Sequence, residues 1–433
     1  MLKTIAETAA EQRQALYIVG GFVRDLLLKR PSLDFDLVVE GDAIALANAL
    51  VQKYGGRITT HARFGTAKWF LEAPSISPSA NQQTDNHHLP AFLDLITART
   101  EFYTHPTALP TVERGSIKLD LHRRDFTINT LALRLDGLHF GELHDYWGGY
   151  NDLRQGVIRV LHSVSFVDDP TRMLRAARFE QRFGFQIAVR TRELIEAALV
   201  PQDNTGTTLL DRVSGDRIRH ELDHVLDEPK AAAILSRMDA LGLLKAIHPA
   251  LPWHENLVTA IATLPEHIPG PEWGIGNEVK GNPTPRALAY LLWLIELSPA
   301  EIGPVAERLK LSQSLETILF AARHLREELP DISTHPPSLI TARLDRVHTL
   351  GLYTCFLVSK EQTVRACLYQ YVTQWRHIHP YTDGNTLQGL GLRPSPVFAD
   401  ILLALRAAWL DGHITSREEE EQLTFQLIEP YKR

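Results

Sequence analysis

The sequence predicts an α/β head, a mixed sheet with helices, followed by an all-α remainder. Over residues 1–150 short β-rich runs alternate with stretches of helical apolar spacing. From Pro170 onward the apolar residues keep a helical period with only short breaks. No fixed-period repeat points to a solenoid. At 433 residues, and about 100–200 residues per domain, the expected organisation is a head over 1–150, a first helical segment over 151–230 and a longer all-α region over 231–433.

In the head, residues 16–19 (LYIV) read as a strand ending in Gly20-Gly21, and 22–29 as a helix. Residues 35–39 (FDLVV) form a second strand. Residues 42–54 (DAIALANALVQKY) have helical spacing and stop at Gly55-Gly56, the usual punctuation of a helix end. Two further strands, 66–71 (TAKWFL) and 92–97 (FLDLIT), are joined by the polar stretch 74–90, a surface loop by composition. Its adjacent His87 and His88 have no partner cluster that would complete a metal site. In the helical part, 265–285 (PEHIPGPEWGIGNEVKGNPTP) is dense in Pro and Gly and is the best candidate for a dividing loop.

Composition narrows the class. With 44% hydrophobic and 22% charged residues the chain is neither disordered nor fibrous. Two cysteines, Cys355 and Cys367, exclude a disulfide framework or a four-cysteine zinc site. The start has no apolar signal region, and the longest apolar stretch, 287–297 (ALAYLLWLIEL), is short of the roughly 20 residues a bilayer span needs. A cytoplasmic protein with no membrane partner is expected. The net charge of −7, from 45 basic and 52 acidic residues, argues against a nucleic-acid partner until its distribution is considered. Carboxylates such as those at 418–421 add to the sum, whereas the positive charge concentrates in two short motifs, where local field matters more than the total.

The first constellation is Gly20-Gly21-Phe22-Val23-Arg24-Asp25 followed by Asp34-Phe35-Asp36. A glycine pair between strand and helix lets backbone N–H groups approach a phosphate, beside the partial positive charge of the helix start. Arg24 can add a bidentate contact to phosphate oxygens. Asp34 and Asp36, two apart on a strand, point to one face about 7 Å apart. Paired carboxylates hold hard divalent ions such as Mg²⁺, and two such ions can clamp the attacking and leaving oxygens of a phosphoryl transfer. A strand with one solvated polar face is the plainer alternative for D-x-D alone; the neighbouring glycine turn makes the metal reading stronger. Asp94, flanked by apolar residues in FLDLITART, is placed to supply a third acid from a neighbouring strand, or is a polar residue at a strand edge.

The second constellation, Arg123-Arg124-Asp125-Phe126-Thr127-Ile128-Asn129, can read phosphate and ribose hydroxyl together. It also fits a capped helix start, with Asp125 as N-cap before FTINTLAL, and both readings can hold at once. In the third, Asp168-Asp169-Pro170-Thr171-Arg172, Asp169 suits an N-cap and Pro170 a first helical turn. Arg172, Arg175 and Arg178 recur every three residues as one stripe. A solvated basic face is its usual meaning. Here Met173, Leu174, Ala176, Ala177 and Phe179 take the other face, so the stripe is expected to border a cleft that takes an anion. His220-Glu221-Leu222-Asp223-His224 matches the H-E-x-x-H zinc-protease pattern. It lacks a third ligand, sits in a highly charged segment, and is read as a chance match in a chain with 19 His.

With these residues assembled, the chain resembles the class II tRNA nucleotidyltransferase and bacterial poly(A) polymerase family. The likeness runs through GGFVRDLLLKRPSLDFDLVV, LDLITARTEFYTHPTALPTV, GSIKLDLHRRDFTINTLAL and DDPTRMLRAARFEQRFGF, in order, over about residues 16–225, and is weaker beyond. The resemblance implies a catalytic head, a neck carrying the base-reading residues, and a helical body and tail that bind the tRNA acceptor arm. It implies that Asp34 and Asp36 hold metal and that Gly21, Arg24 and Arg124 contact the nucleotide. Asp169 and Arg172 fall on the base-reading pair, with Arg175 and Arg178 on phosphate or base. The chemistry of that pair follows independently. Cytosine and adenine both present an amino donor beside a ring-nitrogen acceptor, so an aspartate can accept from the one while an arginine donates to the other. Uracil and guanine present the reverse.

Two features depart from the family. Its usual Glu-Asp is Asp168-Asp169 here, and the stretch from Pro74 to Pro90 is longer than the usual connection, with no role to assign. The phosphohydrolase motif of some relatives is absent. The expectation is a Mg²⁺-dependent enzyme that extends the 3′ end of tRNA with CTP, ATP or both, with no role in DNA binding. A poly(A) polymerase is the nearest rival, and a catalytically silent RNA-binding protein the alternative of another class.

Overall fold

The computed structural model describes residues 1–32, 35–71, 90–102, 111–201, 206–279 and 281–431. They form two compact units, Met1–Ser214 with Ala240–Ala246, and Gly215–Asp239 with Ile247–Arg433.

The first unit is built on a sheet. Its elements begin α1 (Leu2–Glu11), β1 (Ala15–Val19), α2 (Gly21–Leu27), β2 (Asp36–Glu40), α3 (Ala43–Tyr54), β3 (Arg57–His61), β4 (Thr66–Phe70), β5 (Phe92–Thr97), β6 (Arg99–Phe102) and β7 (Thr111–Arg114). They continue with α4 (Ile117–His122), β8 (Ala132–Arg134), β9 (Leu143–His144), α5 (Gly149–Gln155), α6 (Ser165–Asp168), α7 (Thr171–Phe183) and α8 (Val189–Ala198). Seven strands lie in the order β3-β4-β5-β2-β1-β8-β9. The β2–β5 pair is parallel and the other neighbours in this sheet are antiparallel.

The central strands are apolar on both faces because both faces are covered. Tyr17, Val19, Val38 and Ile96 pack with Ile117 and Leu121 of α4 on one face. Leu16, Ile18, Leu37 and Val39 alternate to the other and are fully buried. Helix α3 starts where Asp42 accepts hydrogen bonds from the Ile44 and Ala45 N–H groups, and ends at Gly55, φ +75°.

Three parts of the head differ from the sequence reading. Strand β3, an edge strand of largely exposed RITTH, carries no apolar alternation and was not expected. The hairpin of β6 and β7 is likewise additional. Asp125 does not open an α-helix. Thr127–Asn129 makes a single 3₁₀ turn and Ala132–Arg134 becomes β8, with Leu133 opposite Ile18. The apolar spacing of FTINTLAL fits a helix, but β1 is buried and its edge groups need partners, so the segment is drawn into the sheet.

The second unit is helical, from Gly215–Leu226 to Arg417–Ile428. Thr284–Leu294 is buried almost all round, including Tyr290 and Trp293. Residues 265–285 hold a 3₁₀ turn, Pro271–Trp273, and a short hairpin of Glu278–Val279 with Asn282–Pro283. Glu420, one of the carboxylates at 418–421, is buried and accepts from the Tyr381 and Thr382 N–H groups and the Trp409 indole. Among the described residues no helix is long and apolar enough to cross a membrane.

Candidate active site

Strand β1 ends at Val19 and the chain turns through Gly20, φ +67°, into α2. Strand β2 runs antiparallel to β1 with Leu37 opposite Ile18, so Asp36 begins β2 alongside this turn. The Phe22 and Phe35 rings, 4.7 Å apart, tie α2 to the residue before Asp36. Strand β5 runs parallel to β2 with Asp94 directly opposite Asp36. Opposed residues share a face, so both carboxylates lie on the side of Val38 and Ile96, the α4 side. Asp94 is on an interior strand, between β4 and β2, not at the sheet edge. Lys68 on β4 approaches it to 3.5 Å and also lies 3.8 Å over the Phe92 ring. Asp34 lies outside the described residues, as do His87, His88 and most of the 74–90 stretch. Among the described residues no group of three or more His, Cys, Asp or Glu gathers for a metal.

Helix α4 delivers Arg123 and Arg124 to the same region. A Cβ on Gly20 would overlap Arg124 Nη1, so the guanidinium lies directly across the glycine turn. Gly21 follows as the first residue of α2. Asp120, fully buried, accepts from Arg123 Nε at 3.1 Å and Nη2 at 2.8 Å and from Arg124 Nη2 at 3.4 Å. The sequence reading missed Asp120. Its signal was present in LDLHRR, where an acid precedes two arginines by three and four residues on a helix.

A buried polar chain links α2 to α7. Arg24, 5% exposed, is held by Asp25 through Nε (2.9 Å) and Nη2 (3.0 Å) and donates through Nη1 to Asn129 Oδ1 at 2.7 Å. Its guanidinium also sits 4.5 Å from the Phe183 ring centroid. Asn129 Nδ2 donates to Asp125 Oδ1 at 2.8 Å, and Arg175 Nε donates to Asp125 Oδ2 at 2.8 Å. Burial alone would push the Asp125 carboxyl up, but Arg175, the Asn129 amide and Arg172 bring it down to about 2.

Helix α7 is buried on nearly every side, which changes the meaning of the arginine stripe. Arg172 and Arg178 are 6% and 7% exposed, and Arg175 reaches the Asp125 carboxylate, an anion supplied by the protein itself. Arg178 lies 5.1 Å from the Phe179 ring centroid. Arg172 donates to Ser165 Oγ at 2.8 Å and to the Arg123 carbonyl at 2.7 Å. Asp169 accepts from the Thr171 N–H at 3.0 Å and hydroxyl at 2.6 Å, which fixes its carboxylate at the start of α7. The structure thus gathers Gly20, Gly21, Arg123, Arg124, Asp125, Asn129, Asp169, Arg172 and Arg175 around one region, with Asp36 beside its glycine turn and Asp94 on the adjacent strand.

His220 and His224 lie in the second unit, on Gly215–Leu226, with Nε2 atoms 3.2 Å apart and no third ligand among the described residues.

Residues 16–159 match the Poly A polymerase head domain family, and residues 184–253 match the probable RNA and SrmB-binding site of polymerase A. The A-adding tRNA nucleotidyltransferase of Geobacter sulfurreducens is 36% identical over 99% of this chain, which spans about half (47%) of that protein's length. The A-adding tRNA nucleotidyltransferase of Halalkalibacterium halodurans is 32% identical over 98% of this chain and 91% of its own length. The CCA-adding enzyme of Thermotoga maritima complexed with tRNA-CCA superposes with a TM-score of 0.72 at 28% identity, covering 99% of this chain and 95% of that one. By sequence over its whole length and by fold, this chain belongs to the tRNA nucleotidyltransferase family.

Proposed function

We propose that the protein is a template-independent nucleotidyltransferase that adds the terminal A to tRNA ending in CC. The observation that carries the reaction class is the pairing of Asp36 with Asp94 on one sheet face beside the Gly20 turn and Arg124. The choice of A over C rests on the two relatives named as A-adding enzymes.

In this reading the 3′-hydroxyl of the tRNA attacks the α-phosphate of ATP, a new P–O bond forms, and the bond to pyrophosphate breaks. Asp34 and Asp36 are oxygen donors of the kind a hard divalent cation takes, with Asp94, opposite Asp36, as the third carboxylate. Mg²⁺ held there would offset the charge developing on the attacking and leaving oxygens. Arg124, across the glycine turn, holds the triphosphate. Asp169 accepts from the base amino group and Arg172 donates to the ring nitrogen. Both side chains are fixed in advance by Thr171, Ser165 and the Arg123 carbonyl, so little ordering is left for the binding step. Arg24, Asn129 and Asp125 brace Arg175, one turn along α7 from Arg172, which makes them positioning residues.

The test is incubation with tRNA ending before CCA, at C, or at CC, with CTP and ATP offered singly and together, and product length read on a gel. One AMP added to the CC end alone is the expected product. Addition of C residues would move the protein to a CC- or CCA-adding type. Open-ended A tracts would make it a poly(A) polymerase, and no product at all would leave an RNA-binding protein.

A further inference from the structure

Next to the Arg172 clamp, on the face of the sheet that carries Asp36 and Asp94, four ring-bearing side chains form a ladder. His162 stacks on His122 with centroids 5.5 Å apart and 26° between planes. His122 meets Trp147 at 5.4 Å, and Trp147 meets Tyr146 edge to face at 5.6 Å. Trp147 anchors the ladder by packing on the core of Tyr17, Val38, Ile117 and Leu121. Its inner end touches the base-reading segment, where His162 Nε2 lies 3.9 Å from Asp168 Oδ2. Past Tyr146 the row continues to His144, whose Nδ1 is 3.0 Å from the Tyr146 hydroxyl and whose ring meets the buried Tyr17 edge to face at 5.5 Å. The ladder's solvent side is formed by Tyr146, 40% exposed, and by His122 in the middle of the row, with the Lys118 ammonium 5.7 Å over the Tyr146 ring. Burial, with Glu40 and Glu142 nearby, raises the Tyr146 pKa.

Tyr146 and His122 thus keep ring surface in solvent beside a lysine. Exposed ring surface with a lysine alongside is what single-stranded nucleic acid uses: a surface for bases to stack on and positive charge for the backbone. His162 adds to the match. Burial lowers its pKa, with Arg172 and His122 assisting and Asp168 opposing, so near neutral pH its ring is uncharged. Its buried Nδ1 has no hydrogen-bond partner among the described residues, which a shift of the ring would relieve.

We propose that the ladder of His162, His122, Trp147 and Tyr146 is a stacking track for the single-stranded 3′ end of the RNA substrate, with Lys118 drawing in its backbone. The proposal rests on the nucleotidyl-transfer reading for the identity of the RNA, and places the strand on the face where Asp36 and Asp94 would act on its last hydroxyl.

The experiment measures tRNA affinity by fluorescence anisotropy with the full chain, a readout that needs no turnover. His122→Ala and Tyr146→Ala are both substitutions of exposed side chains, and each is expected to weaken binding of tRNA ending in CC by about fivefold or more. Retaining a ring with His122→Phe or Tyr146→Phe restores it. Lys118→Ala weakens binding at about 50 mM salt more than at about 200 mM, whereas the ring losses persist at both. The same variants leave affinity for tRNA lacking its single-stranded end unchanged. Unaltered affinity in both ring variants would overturn the track. Binding lost with the rings in a protein that never extends tRNA would retain the track and overturn the transferase reading instead.

Discussion

The Arg124 guanidinium lies across the Cα of Gly20, in the space that any side chain at that position would need. Gly20 also has φ +67° with ψ −123°, a combination outside the left-handed helical region that side-chain-bearing residues adopt only under strain of about 1–3 kcal/mol. The glycine therefore serves two ends, the tight turn and the seat of an arginine that Asp120 holds from the other side. Gly20→Ala is expected to lower Tm by about 2–12 °C and to lower kcat/KM for ATP about tenfold or more, because Arg124 must leave its seat. Equal kcat/KM in the variant would detach Arg124 from the triphosphate.

The Asp125 carboxyl gives a pH signature. Its folded value of about 2 lies below the unfolded value of about 3.9, so its stabilisation is present above the unfolded pKa and is lost as pH falls through the folded one. The shift corresponds to roughly 2 kcal/mol. Asp125→Asn should melt below the parent by a constant margin from about pH 5 to 8, and the margin should close between about pH 4 and 2. Thermal melts across that range check it; a margin independent of pH would mean that the carboxylate charge contributes nothing.

Ser165 acts on selectivity through Arg172. Ser165→Ala removes the 2.8 Å bond to Nη1 and leaves a buried guanidinium under-satisfied, at a cost of about 1–3 kcal/mol. The expected result is a higher KM for ATP with a smaller change in kcat, and more incorporation of UMP or GMP. Threonine at the same position should recover most of the loss. Unchanged KM and unchanged misincorporation would show that the hydroxyl does not hold the base-reading geometry.

The two cysteines should be chemically silent. Burial pushes Cys355 up to about 12 and Cys367 up to about 11, so neither forms thiolate near neutral pH. Thiol reagents at pH 7.5 should label neither in the native protein and both after denaturation.

The legible parts of the sequence were those where local pattern and tertiary role agree. Residues 92–97 form the expected strand, a short apolar run whose Leu93, Leu95 and Thr97 face inward, and the start of α7 was legible because Asp169 precedes a proline and a helical run. The D-x-D motif and Asp94 were both visible, but nothing local fixes the register that puts Asp94 opposite Asp36; that follows from how β2 and β5 pack. FTINTLAL was misread because its spacing suits a helix while its place beside β1 requires a strand. The arginine stripe reads as bordering a cleft because Met173, Leu174, Ala176, Ala177 and Phe179 take the other face of the helix. Burial here is possible because Asp125, Ser165 and the Arg123 carbonyl meet two of those guanidinium groups.

The most direct measurement is single-turnover incorporation of AMP onto tRNA ending in CC, in Mg²⁺, by Asp36→Asn and Asp94→Asn, with tRNA affinity measured alongside. A loss of about 100-fold or more in rate is expected for each, with tRNA affinity within about twofold of the parent. Incorporation at the parent rate by Asp36→Asn would contradict it.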